Sequence, residues 1–364
     1  MKAWGRDGPT GPRADALGDL AEAGIELDPP TPVDRARARG AAPAGAGGAA
    51  DAGADEPHEH DDAHPHDHPH VHSQPDEPPV VGIVGAGAVG TALGVALSRA
   101  GWPIQAVASR DAGRRERFRS LVPGARAFAE ANALLDEVEL VIVAVPDDAI
   151  PSVAGRLHLY SGQAIVHTSG LLGANALSPA MAAGTQIGAF HPLVAFADTE
   201  RAVAALHGAT IAIEGDDQLL DLLARMAEAI GGIPVRLAPG AKAAYHAAAM
   251  LAAGGLVALL DAIAELGRVA GLDEKGSLAV YGPLVSQTLG NAQAIGIKAA
   301  LTGPLTRGDA GTLKAHLAEL EAHAPGVLEL YRALARRELA LAEARGALAP
   351  EGAEMVRRSL ANPA

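Results

Sequence analysis

The chain has 364 residues, 49% of them hydrophobic but only 3% aromatic, enough for two domains whose cores rest on alanine, leucine and valine. It contains no cysteine, which excludes disulfides, thiolate zinc sites and cysteine nucleophiles and agrees with a reducing compartment. The net charge of −14 is concentrated in residues 1–79, where sixteen acidic and six basic residues leave −10; the remaining −4, with no basic stripe, argues against a nucleic-acid partner.

Residues 1–78 are rich in Ala, Gly, Pro, Asp and Arg. Beyond a weak helical pattern at Asp15 to Leu27 they lack hydrophobic periodicity, and a disordered tail is expected. It lacks the basic start, apolar run and cleavage site of a secretory leader, so the expected location is cytoplasmic. Within it, His58, His60, His64, His66, His68, His70 and His72 alternate with Pro, Asp and Glu. Such a tract collects transition metals in principle, but a Pro-broken run fixes no ligand geometry, so no metal site is expected.

At Pro79 the texture changes. A short apolar run, Val80 to Val84, precedes Gly85-Ala86-Gly87-Ala88-Val89-Gly90, and Thr91 to Ala100 reads as a helix. Further strands are predicted at Ile104–Ala108, Leu140–Val145, Ala164–Thr168, Ile187–Phe190, Thr210–Ile213 and Ile233–Leu237. Helical segments between them include Ala112–Ser120, Glu130–Asp136 and Asp217–Ile230. This alternation predicts an α/β Rossmann domain over residues 79–238, a mostly parallel doubly wound sheet. From Gly240 onward only helices are predicted, at Ala241–Ala270, Glu274–Gly290, Thr312–Ala322 and Pro325–Arg345, making residues 239–364 an all-α domain. The run Ala247–Leu260 is shorter than the roughly 20 residues that span a bilayer and reads as a buried bundle helix, with no membrane partner expected. The apolar helices outnumber the cover one chain offers, which predicts a homodimer through this domain.

GxGxxG placed between a strand and a helix points to a dinucleotide. Gly85 serves the tight turn, Gly87 leaves room for the pyrophosphate beside Ala86, Val89 and the helix amides, and Gly90 lets helix and strand approach. At the end of the second strand an NAD protein usually places an acid; here stand Ser109 and Arg110, a hydroxyl and a guanidinium suited to a 2′-phosphate, so NADP is expected rather than NAD. Arg114 and Arg115 add charge nearby. Val145, Pro146, Thr168, Ser169 and Gly170 lie at carboxyl ends of strands, the edge that faces a ligand in such sheets.

The segments GIVGAGAVGTAL, VAVPDDAI, VHTSG, FHPLVAFAD, AIEGD, KAAYHAAA and LTGPLTRGD occur in this order. Together they resemble a family of oxidoreductases that join a Rossmann-like domain to a helical domain of unknown function, similar in plan to pyrroline-5-carboxylate reductase, β-hydroxyacid dehydrogenases and 6-phosphogluconate dehydrogenase. The resemblance covers about residues 79–345 and implies a helical domain of the 6-phosphogluconate dehydrogenase type. One departure is visible: where related sequences carry Ser-Asn-Tyr, this chain has Ala253, Gly254 and Gly255. Adjacent glycines in a helix imply a kink or a close helix crossing.

Lys242 resembles the catalytic lysine of β-hydroxyacid dehydrogenases, with His246 at the position of their asparagine. The i, i+4 spacing puts both on one helix face, where Lys242 as proton donor would be helped by a lowered pKa near the helix N-terminus. His191, at a strand end before Pro192, is the third candidate catalytic group. Arg307 is a candidate clamp for a substrate carboxylate, and Asp309 either orients it or caps the following helix. These residues predict an NADP-dependent reductase of a small carbonyl or imine, with a 2-oxo acid implied by the lysine motif alone. The alternatives are an NADP-binding regulatory protein without turnover and a deazaflavin-linked NADP oxidoreductase.

Overall fold

The computed structural model describes residues 77–346 and 348–361, so the histidine tract and the segment read as a tail lie outside the described residues up to Asp76. Runs of β-branched and aliphatic residues form eight strands: β1 (Val81–Val84), β2 (Ile104–Ala108), β3 (Arg126–Phe128), β4 (Leu140–Val143), β5 (Ala164–His167), β6 (Gln186–Pro192), β7 (Thr210–Glu214) and β8 (Ile233–Arg236). They make one sheet in the order β3-β2-β1-β4-β5-β6-β7-β8. All neighbouring pairs are parallel except β6 and β7, which are antiparallel.

The central strands are buried on both faces, as unbroken apolar runs require. Ile83, Ile142 and Val166 pack with Leu93, Leu97 and Phe118, from helices α1 (Ala88–Arg99) and α2 (Ala112–Leu121), and with Leu219 and Leu223 of α5 (Asp217–Ala229). Val84, Val141, Val143 and Ile165 face the other way, onto Leu134 and Leu135 of a 3-10 turn at Ala131–Glu137, and onto Ile150 of α3 (Ile150–Ala154). Helix α4 (Thr199–Leu206) lies against α1.

The chain divides into two compact units, one ending at Ala249 and one beginning at Met250. Helix α6 (Lys242–Met250) runs into a π-helical turn at Leu251–Gly255 and then α7 (Leu256–Val269). The two glycines therefore mark a widened turn, a form in which a helix absorbs an irregularity without breaking. The second unit continues with α8 (Glu274–Ile295), α9 (Ile297–Ala300), α10 (Ala310–His323), α11 (Pro325–Ala344) and α12 (Pro350–Ala361). Its core joins Leu313, Leu317, Leu339 and Val356.

The burial expected of Ala247–Leu260 is overturned. Leu251 is 75% and Val257 66% exposed, and only Ala262, Ala264 and Gly267 of α7 are buried. The reason is cover: packing within this unit reaches one face of a helix that is apolar nearly all round. By length and composition the stretch Lys242–Val269 is long and apolar enough to cross a membrane.

Candidate functional site

The glycines of the β1–α1 turn have three separable duties. Gly85 adopts φ 111°, and a Cβ there would sit 2.2 Å from the Ala144 carbonyl oxygen, so only glycine makes the turn. A Cβ on Gly90 would fall 2.0 Å from the Gly85 carbonyl oxygen, so its absence lets α1 close onto the turn. Gly87 is different: its backbone is extended, and a Cβ would meet nothing within 4 Å. Neither conformation nor protein packing demands glycine at Gly87; the space above it is free for a ligand. Gly87 also opens α1 with no side-chain cap and no acid in the first turn, leaving amide donors and the positive helix end for an anion. A cleft of ≈ 250 Å³ opens there, lined by Gly87, Ala88, Thr91, Arg114, Arg117 and Thr199.

Ala86 is buried and Val89 half-buried beside this turn; Ser109 follows β2, and Arg110 is exposed. Arg115 turns back instead, donating to the carbonyls of Ser109 at 2.5 Å and Arg110 at 3.0 Å. It braces the strand end, while Arg114 and Arg117 face the cleft.

A second polar cluster forms where β4, β5 and β6 end and α6 begins. Register aligns His167 with Ala189 and Ala189 with Glu214 in one row across the sheet. His167 is fully buried, its Nδ1 accepting from the Ser169 amide at 3.2 Å and its Nε2 lying 2.9 Å from the Gly173 carbonyl. An amide and a carbonyl as partners fix the neutral Nε2–H tautomer, and burial lowers the pKa in the same sense. Ser169 donates to Asp147 at 2.7 Å and accepts from the amides of Leu171 and Leu172, so its hydroxyl shapes the loop after β5. Val145 and Pro146 lead into Asp147 on the neighbouring strand end, and Thr168 is half-buried between His167 and Ser169.

Lys242, His191 and His246 gather around this loop. The Lys242 ammonium donates to the Leu172 carbonyl and pairs with Glu214 at 3.3 Å, while the other Glu214 oxygen accepts from the Ala174 amide at 3.0 Å. Burial lowers the lysine pKa, and Glu214 opposes that shift. His191 and His246 lie 5.9 Å apart between ring centroids at 77°. Between them is Gly170, whose missing Cβ would stand 2.5 Å from His246 Nδ1 and 2.6 Å from His191 Nε2. His246 Nδ1 is buried without a hydrogen-bond partner. The Tyr245 hydroxyl is 3.3 Å from His191 Nδ1. Burial pushes the tyrosine up to about 12, and burial followed by the charges of His246 and Lys242 pushes His191 down to about 4. At neutral pH the cluster therefore presents a protonated phenol and a neutral imidazole.

Arg307 and Asp309 belong to the second unit. Asp309 caps α10, accepting from the Thr312 amide at 3.0 Å and hydroxyl at 2.7 Å, and Arg307 is exposed at the end of a 3-10 turn. No group of three or more His, Asp or Glu among the described residues is placed to hold a metal ion.

Residues 68–192 match the Rossmann-like domain, and residues 209–338 match a domain of unknown function, DUF2520. The chain joins a Rossmann-like domain to a DUF2520 domain. Solved structures agree with that plan. A protein from Thermotoga maritima is 27% identical, over 72% of this chain and all of its own (100%), with a TM-score of 0.61. A Bacteroides fragilis protein proposed to be an NADP oxidoreductase is 23% identical, over 72% of this chain and 98% of its own, with a TM-score of 0.63. A reductive aminase from Aspergillus terreus, solved with NADPH and ethyl levulinate, is 20% identical, over 77% of this chain and 99% of its own, with a TM-score of 0.54. The last two likenesses show the fold. No curated protein matches the sequence.

The DUF2520 match begins before β7, so Glu214, Lys242, Tyr245 and His246 fall inside it, while His167, Ser169, Gly170 and His191 fall inside the Rossmann-like match. Sequence reasoning missed Asp147, His167, Glu214 and Tyr245. The signal for Tyr245 was present: Lys242, Tyr245 and His246 stand at i, i+3 and i+4 on one helix.

Proposed function

We propose that this protein is an NADP-dependent oxidoreductase that reduces a small carbonyl or imine compound, with residues 79–238 binding the nucleotide and 239–364 serving substrate and dimer contacts. The free space over Gly87, at an uncapped helix end, carries the reading: it is a cradle that a Cβ would fill and that folding alone does not need. Gly85, Ala86, Gly87, Val89 and Gly90 hold the diphosphate; Ser109 and Arg110, with Arg114 in the adjoining cleft, meet the 2′-phosphate; Val145, Pro146, Thr168, Ser169 and Gly170 border the nicotinamide end. Bound NADPH supplies a hydride to an electrophilic carbon. What the chain must add is a proton donor for the oxygen or nitrogen that gains electron density. With Tyr245 donating to His191 Nδ1, the proton of the neutral ring sits on Nε2, the atom that flanks Gly170 opposite His246 Nδ1. His191 and His246 thus hold the substrate, and as His191 Nε2 gives its proton to the substrate its Nδ1 takes one from the Tyr245 hydroxyl, which solvent restores. Lys242 supports them by pinning the loop after β5 through Leu172 and Glu214. The exposed apolar helices of the second unit favour a homodimer in the cytoplasm.

Fluorescence titration of the purified protein with NADPH and NADH tests the central point. The reading expects NADPH to bind about tenfold tighter or better, and Gly87→Val to abolish binding in a protein with unchanged thermal stability. Preference for NADH, or full affinity in folded Gly87→Val, overturns it. A deazaflavin carried through purification would identify the linked oxidoreductase instead.

A further inference from the structure

The second unit contains a cavity of ≈ 250 Å³ with its own chemistry. Ile263 and Leu266 of α7, Leu305, and Leu330 and Leu334 of α11 form apolar walls. The volume lies between the roughly 150 Å³ that takes up benzene and the roughly 300 Å³ at which pockets for larger organic ligands begin. Its one charged wall residue is Glu338. On α11 the inward row runs Tyr331, Ala335, Glu338, Ala342, with both alanines 2% exposed. A carboxylate thus occupies a place in a row otherwise facing the core, where a charge is costly unless something pairs it.

No described residue supplies that partner. Among the described residues Glu338 makes no hydrogen bond or ion pair, and the nearby Tyr331 hydroxyl is already engaged by His316 Nδ1 at 2.7 Å. Burial holds the Glu338 carboxyl above the usual carboxylate range. A cation entering the cavity would reverse that trend, because it favours the ionised form. Apolar walls with one unpaired carboxylate are complementary to an aliphatic chain ending in a single ammonium.

We propose that the cavity between α7 and α11 binds a small aliphatic amine, its chain against Ile263, Leu266 and Leu334 and its ammonium on Glu338. The site lies wholly within the second unit and does not depend on the nucleotide reading.

Calorimetry on the full-length protein with n-hexylamine and n-hexanol, at neutral pH, is the test. The amine is expected to bind at one per chain about tenfold tighter than the alcohol, and Glu338→Gln should erase that preference while leaving hexanol affinity and thermal stability in place. Equal affinity for the two probes, or a preference that survives in Glu338→Gln, overturns the proposal. So does a protein indifferent to hexylamine in which Glu338→Gln changes the sedimenting mass, since the carboxylate would then belong to a contact between copies. NADPH titration of Glu338→Gln should match the parent, which separates failure here from failure of the nucleotide site.

Discussion

Gly170 is the residue on which the geometry between the two imidazoles turns. Its backbone is not in the left-handed region, so glycine is there for space, and a methyl group would press on His191 Nε2 and His246 Nδ1 together. Gly170→Ala should cost about 1–3 kcal/mol, as overpacking of a tight site does, and should abolish turnover; denaturant melts and stopped-flow reduction assays check both halves. His191 makes a further claim. Unfolded, its imidazole takes up a proton below 6.5; folded, it stays neutral down to about 4. Between those values the unfolded chain binds the extra proton, so stability is complete above 6.5 and falls as the pH drops towards 4. The loss attributable to His191 is on the order of 3 kcal/mol. Urea unfolding from pH 7 to pH 4.5 should show a shallower decline for His191→Asn; an unchanged slope would remove the burial argument. The glycine turn was legible in the sequence because its signature spans contiguous residues. The Lys242–Glu214 pair was not, since it depends on β7 lying beside the loop after β5. The lowered pKa expected at Lys242 is present, but burial is its first cause, where the sequence offered only the helix end.

Among the elements, long apolar strands and amphipathic helices were read within a few residues, because hydrophobic period is a local property. The short β3 escaped: three residues after a Pro123-Gly124 turn carry no period, and the strand exists through its pairing with β2. The 3-10 turn at Ala131–Glu137 was read as a helix for the same want of length. The close helix crossing foreseen at Gly254 and Gly255 occurs elsewhere. A Cβ on Gly267 of α7 would lie 1.9 Å from Ser277 Oγ of α8, whereas Cβ atoms on Gly254 and Gly255 would meet no heavy atom closer than 3.8 and 3.4 Å. The two kinds of glycine should answer differently to alanine. Gly254→Ala should stabilise by about 0.5–1 kcal/mol through helix propensity, while Gly267→Ala should destabilise by about 1–3 kcal/mol through a clash with α8. Thermal melts of the two variants side by side distinguish propensity from packing; equal effects would mean that α7 and α8 approach less closely than described.

For the whole molecule, the apolar surface of the second unit calls for cover. Met250 at the end of α6, Leu251 of the π turn and Val257 of α7 are exposed, and so are Val280, Leu284 and Ile295 along α8. Spacings of four and eleven residues put the last three on one stripe of α8. Contiguous apolar surface of this kind marks a contact with another protein or with lipid. Length and hydropathy alone would allow Lys242–Val269 to sit in a bilayer. The polar groups at its start favour the former: Lys242 and Tyr245 are tied to β6, β7 and the loop after β5, so the first turns pack on the α/β unit. A second copy provides matching apolar helices, and a self-complementary face between two chains needs about 800 Å² from each. Leu284→Glu should therefore halve the sedimenting mass of a protein that remains soluble without detergent, and should leave NADPH affinity unchanged. If the parent protein instead requires detergent, or if Leu284→Glu and Val280→Glu both keep the parent's mass, the dimer face lies elsewhere and this stripe serves another partner.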